Sequence, residues 1–253
     1  MTDPKTRAWL IAAIVVGALL ALYLVLALLA RLTDRDAPVR PSAAETAYEK
    51  YVKRVLDRLL SFFGLIVLSP VFVFTALLIF VADPGPVLFR QKRVGKNGST
   101  FSLHKYRSMK QSAPHDVPTH LLGNPEQYIL RTGRFIRRSS LDELPQLWDI
   151  FRGKMSVVGP RPALWNQDDL IAARAQYEAD SVLPGLTGWA QVNGRDELKI
   201  ADKARLDGDY VRALRRGGFA AFSMDLRCFM KTILSVVRRD GVLEGEQDKE
   251  EKK

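Results

Sequence analysis

Apolar residues fall along this chain in two long runs and several short ones, each with its own period. Residues 8–30 (AWLIAAIVVGALLALYLVLALLA) carry no charge and are long enough to cross the hydrocarbon core of a bilayer as one helix. A cleaved leader is the alternative, but the run exceeds the ~7–15 residue apolar core of such peptides and no small-x-small site follows it cleanly. The basic residues after it (Arg31, Arg35, Arg40, Lys50) outnumber Lys5 and Arg7 before it, which puts the C-terminal side in the cytoplasm. The second run, residues 59–82, is interrupted by Ser69-Pro70 and has basic flanks on both sides: Lys53, Arg54 and Arg58 before, Arg90, Lys92, Arg93 and Lys96 after. Two positive flanks share one leaflet most simply if the helix is re-entrant, bending where Pro70 removes a backbone hydrogen bond and leaving on the side it entered. Ser69 can cover a freed carbonyl there, and Asp57 with Arg58 would anchor the entry as a local ion pair. An ordinary kinked span is the competing arrangement.

Beyond the turn Asp83-Pro84-Gly85-Pro86 the pattern shortens. Residues 87–93 and 100–109 read as strands joined by the hairpin loop Gly95-Lys96-Asn97-Gly98. His104, Lys105 and Arg107 on the second arm face either a phosphate or lipid head groups. Residues 111–123 are polar and aperiodic, a loop. Asn124-Pro125-Glu126-Gln127 supplies a cap, a first-turn proline and a third-position Gln, predicting a helix to about Arg137. Another helix over 144–151 presents Leu144, Leu147, Trp148 and Phe151 as a packing face, a third covers about 167–179 with a solvated face, and 222–239 form a packing or interfacial helix. The pattern gives an α+β, mainly helical chain: an N-terminal transmembrane helix (1–31), a linker (32–50), a re-entrant membrane helix (51–82), a small cytoplasmic domain with a short β-hairpin (83–243) and a disordered charged tail (244–253).

Charge changes this picture in one respect. A formal net charge of +10 implies an anionic partner, whether nucleic acid, a lipid surface or a phosphorylated substrate. The single cysteine, Cys228, excludes an intramolecular disulfide and any multi-cysteine metal site. His104, His115 and His120 lack close metal spacing, so a metal here would be held by carboxylates, which points to magnesium or manganese.

The chemistry concentrates in Arg137-Arg138-Ser139-Ser140-Leu141-Asp142-Glu143-Leu144-Pro145-Gln146. Adjacent carboxylates follow two arginines where a helix is about to begin, and helix starts favour both ionised carboxylates and phosphate. Ser140 and Glu143 fit a capping box. Pro145 argues for Asp142 as the cap instead, since that places the proline in the tolerant first turn. Gly159-Pro160-Arg161-Pro162 presents a guanidinium from a stiff loop suited to phosphate. The segment 183–195 (LPGLTGWAQVNGR) either lets a ligand approach its backbone, with Gln191, Asn193 and Arg195 as donors, or is a structural turn stabilised by Trp189.

Taken in order, Lys53-Arg54…Asp57, Ser69-Pro70, His104-Lys105-Tyr106-Arg107-Ser108-Met109, Ser140 to Gln146, Ser156-Val157-Val158-Gly159-Pro160-Arg161-Pro162 and Pro184 to Arg195 resemble the bacterial sugar transferases known as monotopic phosphoglycosyl transferases, over residues 51–241. The resemblance implies transfer of a sugar 1-phosphate from a UDP-sugar, an N-acetylated amino sugar above glucose or galactose, to undecaprenyl phosphate at the cytoplasmic face of the inner membrane. It implies Asp142 as the nucleophile that displaces UMP, and Glu143 with Asp142 at a magnesium ion. Arg137 and Arg161 would hold phosphates, with Arg195, Lys105, Arg107 and Gln191 also at the phosphates or nucleotide. Inner-membrane lipids are implied partners, and a homodimer is left open. Two departures stand out: Lys154 sits where the pattern has an acidic residue, and the helix at 8–30 is absent from the smallest members. The rivals are a non-catalytic basic membrane scaffold, which leaves the Asp-Glu pair unexplained, and a nucleic-acid binder, which leaves the two apolar runs unexplained.

Overall fold

The structure, a computed structural model, describes residues 4–36, 39, 45–114, 125–194 and 198–238. It comprises two units, Met1–Arg35 and Asp36–Lys253. The first is a single helix, α1 (Pro4–Thr33), whose stretch Ile11–Thr33 is long and apolar enough to cross a membrane. Leu20, Leu24 and Leu28 are exposed, as a lipid-facing helix requires.

The second unit opens with a helix that starts before Tyr51. Thr46 and Glu49 form a reciprocal capping box, the Thr46 amide donating to Glu49 Oε2 at 3.0 Å and the Glu49 amide to Thr46 Oγ1 at 3.3 Å. A π-helical turn (Tyr48–Lys53) then runs into α2 (Arg54–Val67). After Leu68 the chain turns by 62° into α3 (Ser69–Ala82), with Pro70 in the first turn, where its missing N–H is tolerated. Ser69 Oγ donates to the Ile66 carbonyl at 2.7 Å, covering an acceptor at the break. The expected Asp57–Arg58 pair is corrected. Asp57 is buried and accepts from Ser156 Oγ at 2.7 Å and the Val157 amide at 2.9 Å, because a carboxylate on the inward face of α2 needs donors that the solvent-side Arg58 cannot bring.

The hairpin forms as expected. β1 (Leu88–Val94) pairs antiparallel with β2 (Thr100–Tyr106), from Leu88 opposite Tyr106 to Val94 opposite Thr100, and Asn97 takes the left-handed conformation in the loop. The helix expected from Pro125 begins six residues later: a 3-10 turn (Pro125–Gln127) precedes α4 (Arg131–Arg138). The intervening residues are held extended against the chain after β2, Lys110 donating to Tyr128 and Leu130 to Ser108. Gly133 is required beside that contact, since a Cβ there would lie 2.0 Å from the Ser108 carbonyl oxygen.

A 3-10 turn (Leu141–Glu143) leads to α5 (Gln146–Phe151), followed by β3 (Ser156–Val158), α6 (Asp168–Ala175), β4 (Gly185–Thr187), a 3-10 turn (Gln191–Asn193), α7 (Ile200–Arg215) and α8 (Gly218–Arg238). β3 and β4 pair in parallel, Ser156 opposite Gly185. The expected packing face is present: Phe151 is buried with Trp148 stacked on it, and Leu147 packs beside Ile150, which is buried as well. The main core joins Tyr210, Val211 and Leu214 of α7 to Ala221 and Cys228 of α8 and to Val158. Beneath it lies a polar knot in which Asp225 receives Lys53 Nζ at 2.8 Å, Tyr48 OH at 2.8 Å and Tyr210 OH at 2.7 Å.

Candidate active site

The Asp-Glu pair sits on the 3-10 turn between α4 and α5, and its flanking leucines explain why it stays there. Leu141 and Leu144 pack against Ile79 of α3, Tyr106 of β2 and Ile136 of α4. Burying them turns Asp142 and Glu143 to the opposite side of the turn, towards Lys105. Ser140 enters the turn with φ of 54°, and neither Ser140 nor Asp142 caps α5 through its side chain; Pro145 occupies the cap position. The carboxylates are therefore not consumed by capping.

Glu143 Oε1 accepts from Lys105 Nζ at 3.1 Å and from Arg161 at 2.7 Å, while Asp142 Oδ2 lies 3.9 Å from Lys105 Nζ. Arg137 also acts on Asp142 through its charge. The side chains of Asp142 and Glu143 are only 15% and 16% exposed, whereas Arg161 is 43% exposed, so the acids lie inside a rim of cations. Burial raises the Asp142 carboxyl, Lys105 opposes this and the neighbouring Glu143 charge adds to it, leaving it pushed up to about 6. For Glu143 burial acts upward too, but Arg161 and Lys105 outweigh it and hold the carboxyl well below the usual carboxylate range. At neutral pH both are ionised.

Arg161 is brought here by β3 and kept by its backbone. Its carbonyl accepts from Arg174 at 2.7 Å, and Arg174 is in turn paired with buried Asp207 at 2.7 Å. Arg93, which the sequence pattern did not single out, donates to the Pro162 carbonyl at 3.0 Å; burial and the like charge of Arg161 lower its pKa to about 10. The site thus gathers Lys105, Arg137 and Arg161 around Asp142 and Glu143, with Arg93 beside Arg161.

Other expected site residues have different partners. Arg107 NH1 pairs with Asp83 at 2.8 Å and closes the turn after α3. His104 is buried, its Nδ1 2.7 Å from Asp149 Oδ1 and its amide donating to Asp149 Oδ2. The glycines of the second loop serve backbone packing: a Cβ on Gly185 or Gly188 would stand 2.1 Å from the Gly159 backbone. Trp189 packs on the main core with Lys231 over its ring, as the structural-turn alternative requires. Gln191 donates to Leu186 at 3.2 Å within that loop, leaving its Oε1 buried and without a partner among the described residues. Arg195 lies outside the described residues. Ser69 and Pro70 form the helix break described above.

Comparison with known proteins gives the family. Residues 48–239 match the model of the family described as "Bacterial sugar transferase". The chain is similar to the "uncharacterized sugar transferase EpsL" of Bacillus subtilis strain 168, 36% identical over 191 residues that cover 76% of this chain and 90% of the relative. It is 34% identical over 174 residues to the exopolysaccharide production protein ExoY of Sinorhizobium fredii, covering 63% and 76% of the two chains. The UDP-glucose:undecaprenyl-phosphate glucose-1-phosphate transferase of Xanthomonas campestris is 38% identical over 172 residues, 65% of this chain but only 36% of that longer protein. With three quarters of its length matched, including every element that builds the acidic turn and its cationic rim, this chain belongs to the bacterial sugar transferase family.

Proposed function

We propose that this chain transfers a sugar 1-phosphate from a UDP-sugar to undecaprenyl phosphate, starting a lipid-linked exopolysaccharide or related glycan. The observation that carries this reading is the Asp142–Glu143 pair, largely buried behind Lys105 and Arg161. Phosphoryl transfer needs positioning and charge neutralisation more than covalent machinery, and a rim of guanidinium and ammonium groups supplies both. In the first step an Asp142 oxygen attacks the sugar-bearing phosphorus. The bond from that phosphorus to the bridging oxygen breaks, and the oxygen leaves with its electron pair on UMP. In the second, a phosphate oxygen of the polyprenyl acceptor attacks the same phosphorus and returns the electron pair to the Asp142 carboxylate. Arg161, the most exposed cation of the rim, meets the incoming diphosphate, while Lys105 and Arg137 hold the charge that builds at the transferred group.

The residues present suit magnesium. Adjacent carboxylates are hard oxygen donors, and this ion is ordinarily held by one or two of them together with substrate phosphate oxygens, so Asp142 and Glu143 would hold it. Bound there, it would neutralise the diphosphate and stabilise the leaving oxygen. The donor sugar is tested with a panel, because the Xanthomonas relative is named for UDP-glucose and the family resemblance implies an N-acetylated amino sugar; the UDP-sugar giving the fastest UMP release identifies it.

The covalent step has a direct test. With the polyprenyl acceptor withheld, donor and magnesium are expected to add the mass of a phosphosugar to the intact protein and to release an equal amount of UMP. UMP release with an unmodified protein mass overturns the intermediate, and no UMP release from any UDP-sugar overturns the reaction.

The reaction then takes place at the cytoplasmic face of the inner membrane, with α2 and α3 entering and leaving one leaflet. The 62° bend and the cover that Ser69 gives Ile66 support this topology. Cysteines introduced at the exposed positions Lys50 and Asn97 are expected to react with an impermeant maleimide from the cytoplasmic side only. Labelling from opposite sides restores the ordinary kinked span.

A further inference from the structure

Lys105 reaches both acids of the turn, its Nζ lying 3.1 Å from Glu143 Oε1 and 3.9 Å from Asp142 Oδ2. A lysine carries its charge on a flexible four-carbon stem, so the placing of its backbone decides where the ammonium comes to rest. Both chain neighbours of Lys105 are tied to helices. On one side the His104 amide donates to Asp149 Oδ2 at 2.9 Å and the His104 ring presents Nδ1 2.7 Å from Asp149 Oδ1, so one residue engages both oxygens of one carboxylate. On the other the Tyr106 hydroxyl donates to the Phe72 carbonyl of α3 at 2.8 Å.

Asp149 belongs to α5, which begins at Gln146 directly after the acidic turn and Pro145. Four residues therefore close a ring across the site. Lys105 meets Glu143 through charge, Glu143 leads to Asp149 along the chain, Asp149 meets His104 through two contacts, and one peptide bond joins His104 to Lys105. The tether is dry: Asp149 is 0% and His104 8% exposed, and a buried carboxylate bonded at both oxygens is strongly held. Burial pushes the Asp149 carboxyl up, and the His104 contacts oppose this. Leu103, one residue before the tether, shares a small core with Ile150, one residue after it.

We propose that His104 and Asp149 are positioning residues of the transfer reaction: their clasp sets the gap across which Lys105 faces Asp142 and Glu143. They act through Lys105 rather than on the substrate. The inference rests on the transferase reading above.

UMP release by the full chain in detergent, with magnesium, undecaprenyl phosphate and the UDP-sugar selected by the panel, tests it. His104→Phe keeps a ring and removes its donor. It is expected to lower kcat by about 10²-fold, the scale of a group misplaced by about 1 Å. KM should stay within about twofold, because Lys105 acts on charge that builds in the transition state. His104→Asn, whose side-chain amide offers a donor in place of Nδ1, should keep the rate within about threefold of the unaltered chain. In a Lys105→Met background His104→Phe should cost nothing further, since the ammonium it positions is gone. A normal rate in His104→Phe, a loss of the same size with and without Lys105, or a His104→Asn variant as slow as His104→Phe overturns the proposal. If His104→Phe unfolds the chain, Asp149→Asn decides by the same comparison, since it keeps the shape and one acceptor oxygen. A loss that vanishes in the Lys105→Met background supports the clasp, whereas a loss that persists, or no loss, overturns it. Absence of UMP release from the unaltered chain removes the transferase reading and this inference with it; UMP release that ignores both residues removes the inference alone.

Discussion

Replacing Asp142 with asparagine is expected to lower UMP release from a UDP-sugar by about 10⁴-fold or more, the scale of losing a covalent nucleophile, while leaving the unfolding temperature close to that of the unaltered chain. The substitution keeps the size of the side chain, and among the described residues Asp142 makes no short hydrogen bond that the turn depends on; Lys105 is 3.9 Å away and remains paired with Glu143. Removing the charge should therefore affect chemistry and spare packing. The unaltered enzyme should carry the same signature in its pH profile. With the Asp142 carboxyl pushed up to about 6 by burial, the ionised nucleophile is lost as pH falls through that value, and the rate should drop about tenfold per unit below it. Glu143, held ionised by Arg161 and Lys105, adds no second step in that window. An Asp142→Asn chain that turns over at the normal rate would remove this residue from the reaction.

The second large effect concerns stability. Asp225→Leu is expected to destabilise the protein by about 3–5 kcal/mol, the range for removing one partner of a buried ion pair. The Lys53 ammonium would lose its partner at 2.8 Å, and the Tyr48 and Tyr210 hydroxyls would lose their shared acceptor. Denaturant unfolding in detergent measures this. The paired change Lys53→Met with Asp225→Leu should recover only part of the loss, since it removes the stranded ammonium but also takes from buried Asp57 the cation that offsets its charge. Equal stability of Asp225→Leu and the unaltered chain would mean that the knot does not hold α8 to the helix entry.

How much of this was legible in the sequence varies with the range of the interaction. The uncharged run at 8–30, the Ser69-Pro70 break and the hairpin around Asn97 were readable because each follows from neighbouring residues. The Asp-Glu turn was readable for the same reason, though not its geometry: the helix start that suggested Ser140 or Asp142 as a cap is a 3-10 turn followed by Pro145. α7 had no clear apolar stripe to betray it, because Asp207 and Gly208 sit on its buried face beside Tyr210 and Leu214. Asp207 is tolerated there only because Arg174 arrives from α6, and Gly208 only because the Tyr177 side chain crosses it closely. The parallel pairing of β3 with β4 and the acceptors at Asp57, Asp149 and Asp225 likewise depend on partners far along the chain. A pattern of periods contains no record of them, which is also why Arg93 was read only as part of a basic flank and Arg174 behind Arg161 was missed.

Leu141 and Leu144 pack against the cluster that Ile79 of α3 forms with Tyr106 and Ile136, so the acidic pair and the helix after the bend share one small core. On the proposed reaction and topology, a change in leaflet thickness that tilts that helix would be felt at Asp142, which makes the thickness of the surrounding lipid a variable to test against turnover.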